Sequence, residues 1–336
     1  MWFLVAQLVF MLLLILIASQ LFTNALEHFG HKLKISAGVI GSIFAAVATA
    51  LPETMVPVIA MVAGTANQTV NEEVSVGAIL GAPLMLSTLS TFLMAVSVIK
   101  QRGISGTIRP EKTGFVRDIN FFLAAFFLAA VAMYVPIEPV YWRAGISAAL
   151  IAIYVFYLAF TVKASKKLVL GGHGVTADDP IWLSKFKFKN NMTTIWIQLI
   201  LGLLMLLIGA KGFIDGVEHL SELLNISVLL ISLIVIPLAT ELPEKVNSIL
   251  WVRKGKDTLG FGNITGAMVF QGTLLPALGI LLTPWEPSHD VLLGISITYI
   301  AAMWLRISIS NRGLRIGALL LNGGLYALYL SWAVLG

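Results

Sequence analysis

Thr49-Ala50-Leu51-Pro52-Glu53 and Thr240-Glu241-Leu242-Pro243-Glu244 are one short phrase written twice, 191 positions apart. Each copy interrupts an apolar run long enough to cross a membrane. A carboxylate at bilayer depth is costly and by default marks a functional site. Proline lacks an amide N–H and cannot bond the carbonyl one turn back, so each phrase frees backbone oxygens. Broken helices at matching positions of two halves point to the binding site of a secondary transporter.

The rest of the composition agrees with a membrane setting. The chain is 58% hydrophobic and 12% charged, with a mean hydropathy of +0.92; soluble domains carry roughly 25% charged residues. A spanning helix needs about 20 mostly apolar residues. Ten such runs are expected, at 3–27, 37–63, 74–98, 118–135, 143–162, 192–219, 227–251, 259–283, 289–306 and 314–334. The first runs into Gln20, Asn24 and Glu27 without a small-residue cleavage site, so it reads as a helix rather than a signal peptide. With no cysteine, disulfides, haem attachment and thiolate metal sites are excluded.

The charges order these spans. Nineteen of the 22 basic residues fall in odd-numbered loops, among them Lys100, Arg102, Arg109, Lys112 and Arg117 in loop three and Arg306, Arg312 and Arg315 in loop nine. Glu72, Glu73, Glu138, Glu222, Glu286 and Asp290 fall in even ones. Basic residues mark the cytoplasmic side, so both termini are expected outside. The basic excess is topological and implies no nucleic-acid partner.

The repeat extends beyond the phrase. At an offset of 191, Phe22 matches Phe213, Glu27-His28 matches Glu218-His219 and Ile35-Ser36 matches Ile226-Ser227; after the next loop the offset is 185, and Gly77, Gly81 and Thr88 match Gly262, Gly266 and Thr273. Five spans per half is an odd number, so the halves enter the membrane in opposite senses. The expected fold class is therefore an all-α membrane protein of ten transmembrane helices in two inverted five-helix repeats. Residues 1–162 form the first repeat, 163–191 a cytoplasmic linker with a short amphipathic stretch around Trp182–Phe188, and 192–336 the second repeat. The linker's expected role is topological.

Antiparallel halves should bring Glu53 and Glu244 together near the midplane. Facing carboxylates repel and need a cation or a shared proton between them. Hard cations prefer oxygen ligands, which Thr49, Thr240 and the freed carbonyls would supply. Lys245 lies four residues after Glu241, on the same helix face. It reads either as an ion-pair partner that neutralises buried charge or as an ammonium standing where a coupling cation would sit. Glu53, Glu241, Glu244 and Lys245 together carry a net charge of −2 when ionised, which suits one divalent cation or two protons. The Gly77-x-x-x-Gly81 and Gly262-x-x-x-Gly266 pairs favour close helix packing. Ser87, Thr88, Asn263, Thr265, Gln271 and Thr273 are second-tier ligand candidates. Glu27-His28 and Glu218-His219 end spans one and six, which could act as gates, and Lys211 is expected to pair with Asp215.

With the Pro-Glu phrase on spans two and seven and glycine-rich helices on spans three and eight, the chain resembles the Ca²⁺/cation antiporter superfamily. The resemblance is specific over Gly41–Glu53, Gly77–Pro83, Ile236–Glu244 and Gly262–Gln271. It implies alternating-access exchange of Ca²⁺ or a related cation against Na⁺ or H⁺, with central glutamates at Glu53 and Glu244 and threonine ligands at Thr49 and Thr240. Asn263 and Gln271 fall where the superfamily also has amides. The sequence departs from the pattern at Ala50 and Glu241, where a serine is usual, and at Ala82-Pro83 and Ala267-Met268, where Ser-Asn or Ser-Asp is usual. A full set of Na⁺ sites is therefore not expected unchanged.

Other classes fit less well. Gly103-Ile104-Ser105-Gly106 matches an intramembrane serine protease motif but lies in a hydrophilic basic loop without a histidine partner, and no zinc-protease motif occurs, so no enzyme activity is expected. A channel needs a continuous pore, whereas inverted broken helices suit alternating access. A fold of this kind with altered ion specificity, or with no transport and a sensor or scaffold role, is the alternative. The expected partners are small inorganic cations and the lipid bilayer, with no cofactor beyond the transported ion and its Na⁺ or H⁺ counter-ion. The expected location is a prokaryotic inner membrane.

Overall fold

The computed structural model describes residues 2–32, 54, 57–58, 60–61, 67–170, 180–224 and 227–335. The expected second span therefore lies almost wholly outside the described residues, and with it Thr49 and Glu53.

The described chain is almost entirely helical. Its helices are α1 (Trp2–Lys32), α2 (Gln68–Met85), α3 (Thr91–Arg102), α4 (Lys112–Ala132), α5 (Tyr141–Leu170), α6 (Met192–Leu224), α7 (Val228–Thr240), α8 (Leu242–Arg253), α9 (Asp257–Leu282), α10 (His289–Ser308) and α11 (Ile316–Leu335). Seven helical stretches among the described residues are long and apolar enough to cross a membrane, the longest being the continuous rod Gln68–Arg102. Side chains fix several of the starts. Asn67 caps α2, Glu111 accepts from the amides of Thr113 and Gly114 at the head of α4, and Ser288 caps α10. Each thereby satisfies amides that have no partner within the helix.

Three elements differ from the sequence expectation. α5 continues to Leu170, because no helix breaker precedes Gly171-Gly172. A two-stranded antiparallel ladder, β1 (Thr107–Ile108) with β2 (Leu314–Arg315), joins two loops far apart in sequence, with Thr107 opposite Arg315. The rod from Gln68 to Arg102 contains a π-helical turn at Leu86–Ser90, just after Pro83. Proline supplies no N–H to the ladder of backbone bonds, and hydroxyls in and after the π turn donate to carbonyls there. Ser87 and Thr88 donate to the Leu84 carbonyl, Ser90 to Met85, and Thr91 to Ser87 and Thr88. Asn322 on α11 also donates to the Ser87 carbonyl, 2.8 Å away.

Burial identifies the centre. The apolar windows of Gln68–Arg102 and α9 are 78% and 83% buried, against 28% for those of α5 and α11, so the first two are core helices and the others face lipid. α2 packs along α7, and also meets α9 and α10. α9 packs on α4, α5 and α8, and α11 on α3. α1 and α6 form a separate long pair in which Gly202, Gly209, Gly212 and Gly216 let α6 approach Phe22, Ile15, Met11 and Leu8 of α1. The 3₁₀ turn Trp182–Phe186 docks across the ends of that pair. Asn24 accepts from the Trp182 amide at 3.0 Å, and Gln198 accepts from Leu183 at 3.0 Å while donating to Asn24.

Candidate functional site

Span seven is broken where the repeated phrase lies. α7 ends at Thr240, α8 starts at Leu242, and Glu241 forms the turn between them with φ −81° and ψ −1°. Pro243 in the first turn of α8 requires no amide partner there. The break sets four polar side chains inside the bundle: Thr240 is 1% exposed, Glu241 0%, Glu244 1% and Lys245 2%. Acidic and basic side chains are almost never this buried without specific partners.

The partners come from three other elements. Gln271 on α9 donates through Nε2 to Glu241 Oε1 at 2.5 Å. The second Glu241 oxygen and Gln271 Oε1 have no hydrogen-bond partner among the described residues. Lys245 Nζ donates to the Pro237 carbonyl at 3.1 Å and lies 2.7 Å from Met85 Sδ on α2. Asn263 on α9 donates to the Glu244 carbonyl at 3.3 Å and to Ser248 Oγ at 3.1 Å. Thr240 donates to Ile236 at 3.1 Å, which leaves its oxygen lone pairs free to accept. Glu241, Glu244, Lys245, Asn263 and Gln271 thus gather at the α7–α8 break, between α2 and α9. Thr49 and Glu53 lie outside the described residues, and among those described no group of three or more His, Cys, Asp or Glu side chains converges.

Two expected pairings are not formed. Ion pairs within 4.0 Å among the described residues are Arg102–Asp257 and Arg117–Asp118. Glu241 bonds Gln271 instead and Lys245 bonds Pro237, although the Lys245 amide still bonds the Glu241 carbonyl at 3.1 Å, one helical turn back. Lys211 and Asp215 are likewise not an ion pair; the Asp215 carbonyl accepts from His219 Nδ1 at 2.7 Å. His28 is buried and accepts from the Asn190 amide at 3.1 Å.

The second-tier hydroxyls mostly donate within their own helices, which, as at Thr240, leaves their lone pairs free to accept. Thr88 bonds Leu84, Ser87 bonds Leu84, and Thr273 bonds Val269 at 2.6 Å. Thr265 reaches across to Asp118 Oδ2 at 2.8 Å. That carboxylate is one the sequence reading missed: Asp118 is 4% exposed, accepts from Arg117 at 2.8 Å, and the Arg117 guanidinium lies 5.5 Å from the centre of the Tyr157 ring. It ties α4, α5 and α9 together beside the segment that carries Asn263. An acid one residue inside an apolar run was the available signal. Ser248 was also missed, although it follows Glu244 by one helical turn.

The chemistry is that of a buried oxygen-rich group. It has two carboxylates, one ammonium and two amides in a space closed to bulk water. Such a group can hold a hard cation through its oxygens or exchange the cation for protons.

The chain matches the family model described as sodium/calcium exchanger protein over residues 3–163 and 194–335. The inner membrane protein YrbG of Escherichia coli is 27% identical over 181 residues, which cover 52% of this chain and only 54% of that relative. The "Putative antiporter CaxA" of Alkalimonas amylolytica is 25% identical over 280 residues, 81% of this chain and 79% of that one. Among solved structures, the H⁺/Ca²⁺ exchanger CAX superposes with a TM-score of 0.73 at 16% identity, covering 98% of this chain and 86% of its own. The sodium-calcium exchanger NCX_Mj superposes at 0.63 and 22% identity, covering 98% and 99%. The fold is shared with both, and the family match spans both halves of the chain on either side of the linker: the chain belongs to the sodium/calcium exchanger protein family.

Proposed function

We propose that this chain is a secondary active antiporter that exchanges Ca²⁺ or a related cation for H⁺ or Na⁺ by alternating access. The observation that carries the reading is the burial of Glu241, Glu244 and Lys245 at a helix break, wedged between Gln271 and Asn263 of α9 and Met85 of α2. Charged side chains inside a membrane bundle are costly to desolvate, and by default they mark an ion or proton path. The exchanger and antiporter names of the relatives support the same class. Glu53 and Glu244 are proposed to carry the cation, with Thr49, Thr240, Glu241 and backbone carbonyls as further oxygens.

Ten transmembrane helices in two inverted five-helix halves are part of the proposal, divided at a linker of 163–191. The packing supports it: the Gln68–Arg102 rod meets α10 and α11 as α9 meets α4 and α5, and α1 meets its counterpart α6. Both termini are placed outside, in an inner membrane, because the Arg and Lys excess lies on the opposite face; YrbG, named as an inner membrane protein, agrees.

Lys245 bears on the counter-ion. Its ammonium is held by the Pro237 carbonyl in the broken span, where a coupling cation would find backbone oxygen. Ala50, Pro83 and Met268 remove further ligands. Both observations favour H⁺ over Na⁺. Ca²⁺ flux into proteoliposomes is the test, under an imposed pH gradient and, separately, a Na⁺ gradient, with Glu53→Gln/Glu244→Gln as control. Flux driven by the pH gradient and abolished in the double variant is expected. Flux that survives the double variant would refute the site, and absence of Ca²⁺ flux under both gradients would turn the reading to another cation or to a sensor or scaffold role.

A further inference from the structure

The loop between α3 and α4, the loop between α10 and α11 and the first residue of α9, Asp257, border an open surface hollow of about 550 Å³ lined also by Arg102, Thr107, Arg109 and Arg312. We propose that this hollow binds a phosphate group, presented by an anionic phospholipid of the adjoining leaflet or by a soluble phosphate ester.

The wall is built before any ligand arrives. Asp257 receives both guanidinium nitrogens of Arg102, at 2.7 and 2.8 Å, and the Arg109 amide at 2.8 Å. Arg102 also donates to the carbonyls of Val252 and Thr107. Asp257 is thereby saturated, and its charge is cancelled by Arg102. Arg109 and Arg312 remain. Both are exposed and neither has a carboxylate partner among the described residues. Arg109 is aimed by its Nε bond to Thr107 Oγ1 at 3.3 Å. Guanidinium groups in a fixed fork match phosphate oxygens, which is why arginine dominates such recognition.

A topological role for these arginines requires only that they lie in loops on one side of the membrane. It does not require that Arg109 and Arg312, from opposite halves of the chain, be brought to one hollow. The β1–β2 ladder does that, with Gly313 at φ 96° turning the second loop so closely over the Ile108 backbone that a side chain there would collide with it. Depth fits as well. Arg102 ends the spanning rod Gln68–Arg102, and Ile104, 60% exposed, projects beside it. An apolar side chain next to paired arginines belongs at the level of lipid headgroups, where polybasic sites attract anionic lipid. Which leaflet this is rests on the proposed orientation; binding itself does not depend on it or on transport.

The test uses the purified full chain in nanodiscs. In discs of phosphatidylcholine with phosphatidylglycerol, native mass spectrometry should retain phosphatidylglycerol, and the unfolding temperature should rise relative to phosphatidylcholine alone. Arg109→Ala/Arg312→Ala should weaken retention about tenfold or more, as expected for lost charge-assisted bonds. Arg312→Ala alone, whose side chain makes no hydrogen bond in the joint, should weaken it without loss of folding. Lys163→Ala/Lys189→Ala removes equal charge elsewhere and should change neither readout. A second arm adds inorganic phosphate, against chloride at equal ionic strength, to phosphatidylcholine discs. Stabilisation there that the arginine variants abolish would assign a soluble phosphate source. If the arginine variants match the lysine variant in both arms, the hollow is not a phosphate site.

Discussion

Gly81→Ala tests whether the contact between α2 and α7 sets the geometry of the buried charges. A methyl group at Gly81 would lie 2.6 Å from Pro237 Cγ and 2.9 Å from the Leu233 carbonyl carbon. Carbon atoms pack best at about 3.5–4.0 Å, so the helices must part by roughly 1 Å. The obstacles are a backbone carbonyl and a proline ring, and neither can rotate away. Inserting a methyl group into such a contact costs about 1–3 kcal/mol, or about 5- to 150-fold in an equilibrium constant. The same displacement reaches the site from two sides. Pro237 supplies the carbonyl that holds Lys245 Nζ, and Met85, one helical turn after Gly81, touches that ammonium. Purified Gly81→Ala in detergent should unfold at a lower temperature than the parent, and cation flux measured well below that temperature should still be reduced. Gly145→Ala is the control: no described atom lies within 4 Å of a Cβ there, and alanine in a helix should be neutral or slightly stabilising. Parental stability and flux in Gly81→Ala would refute the claim that this approach is tight and positions Lys245.

Gln271→Leu removes the donor that Glu241 Oε1 has among the described residues, at nearly constant volume; a hydrogen bond to a charged group contributes about 1.5–3 kcal/mol, so the cation concentration for half-maximal flux should rise about 10- to 150-fold, and an unchanged value would place Glu241 outside the transport site. Lys245→Met should make transport newly dependent on Na⁺ if the ammonium stands in for a coupling cation; unchanged ion dependence would dismiss that role. Asp118→Ala leaves Arg117 without its partner and Thr265 without its acceptor. Breaking a buried pair costs about 3–5 kcal/mol, to be discounted because the Arg117 side chain is 22% exposed. A clear fall in unfolding temperature is expected, smaller in Asp118→Asn, whose amide oxygen can still accept from Thr265.

What the sequence shows and what it hides follow from the range of the forces involved. The break at Thr240–Leu242 was legible because a proline acts on its own turn. The seven spanning stretches of the described residues were legible because twenty apolar residues can be counted without knowing their neighbours, and the turn at Trp182–Phe186 because the stretch Trp182–Phe188 is amphipathic. The pairing of Glu241 with Lys245 was misread for a related reason. A spacing of four specifies a shared face, and the Lys245 amide does bond the Glu241 carbonyl at 3.1 Å, but it does not specify which donor or acceptor each side chain takes. Once Glu241 stands in the turn, its nearest donor is Gln271, thirty positions away on α9, and Lys245 reaches back to the Pro237 carbonyl, which already accepts the Glu241 amide at 3.1 Å. Asp118 escaped because its significance lies in Thr265 and Arg117 closing around it, and only one of those is a sequence neighbour. The β1–β2 ladder escaped because two residues per strand carry no periodicity. A broken helix thus announces a site without identifying the partners of its side chains. Those partners come from α2 and α9, the two most buried spans, whose packing against the break only the assembled bundle defines.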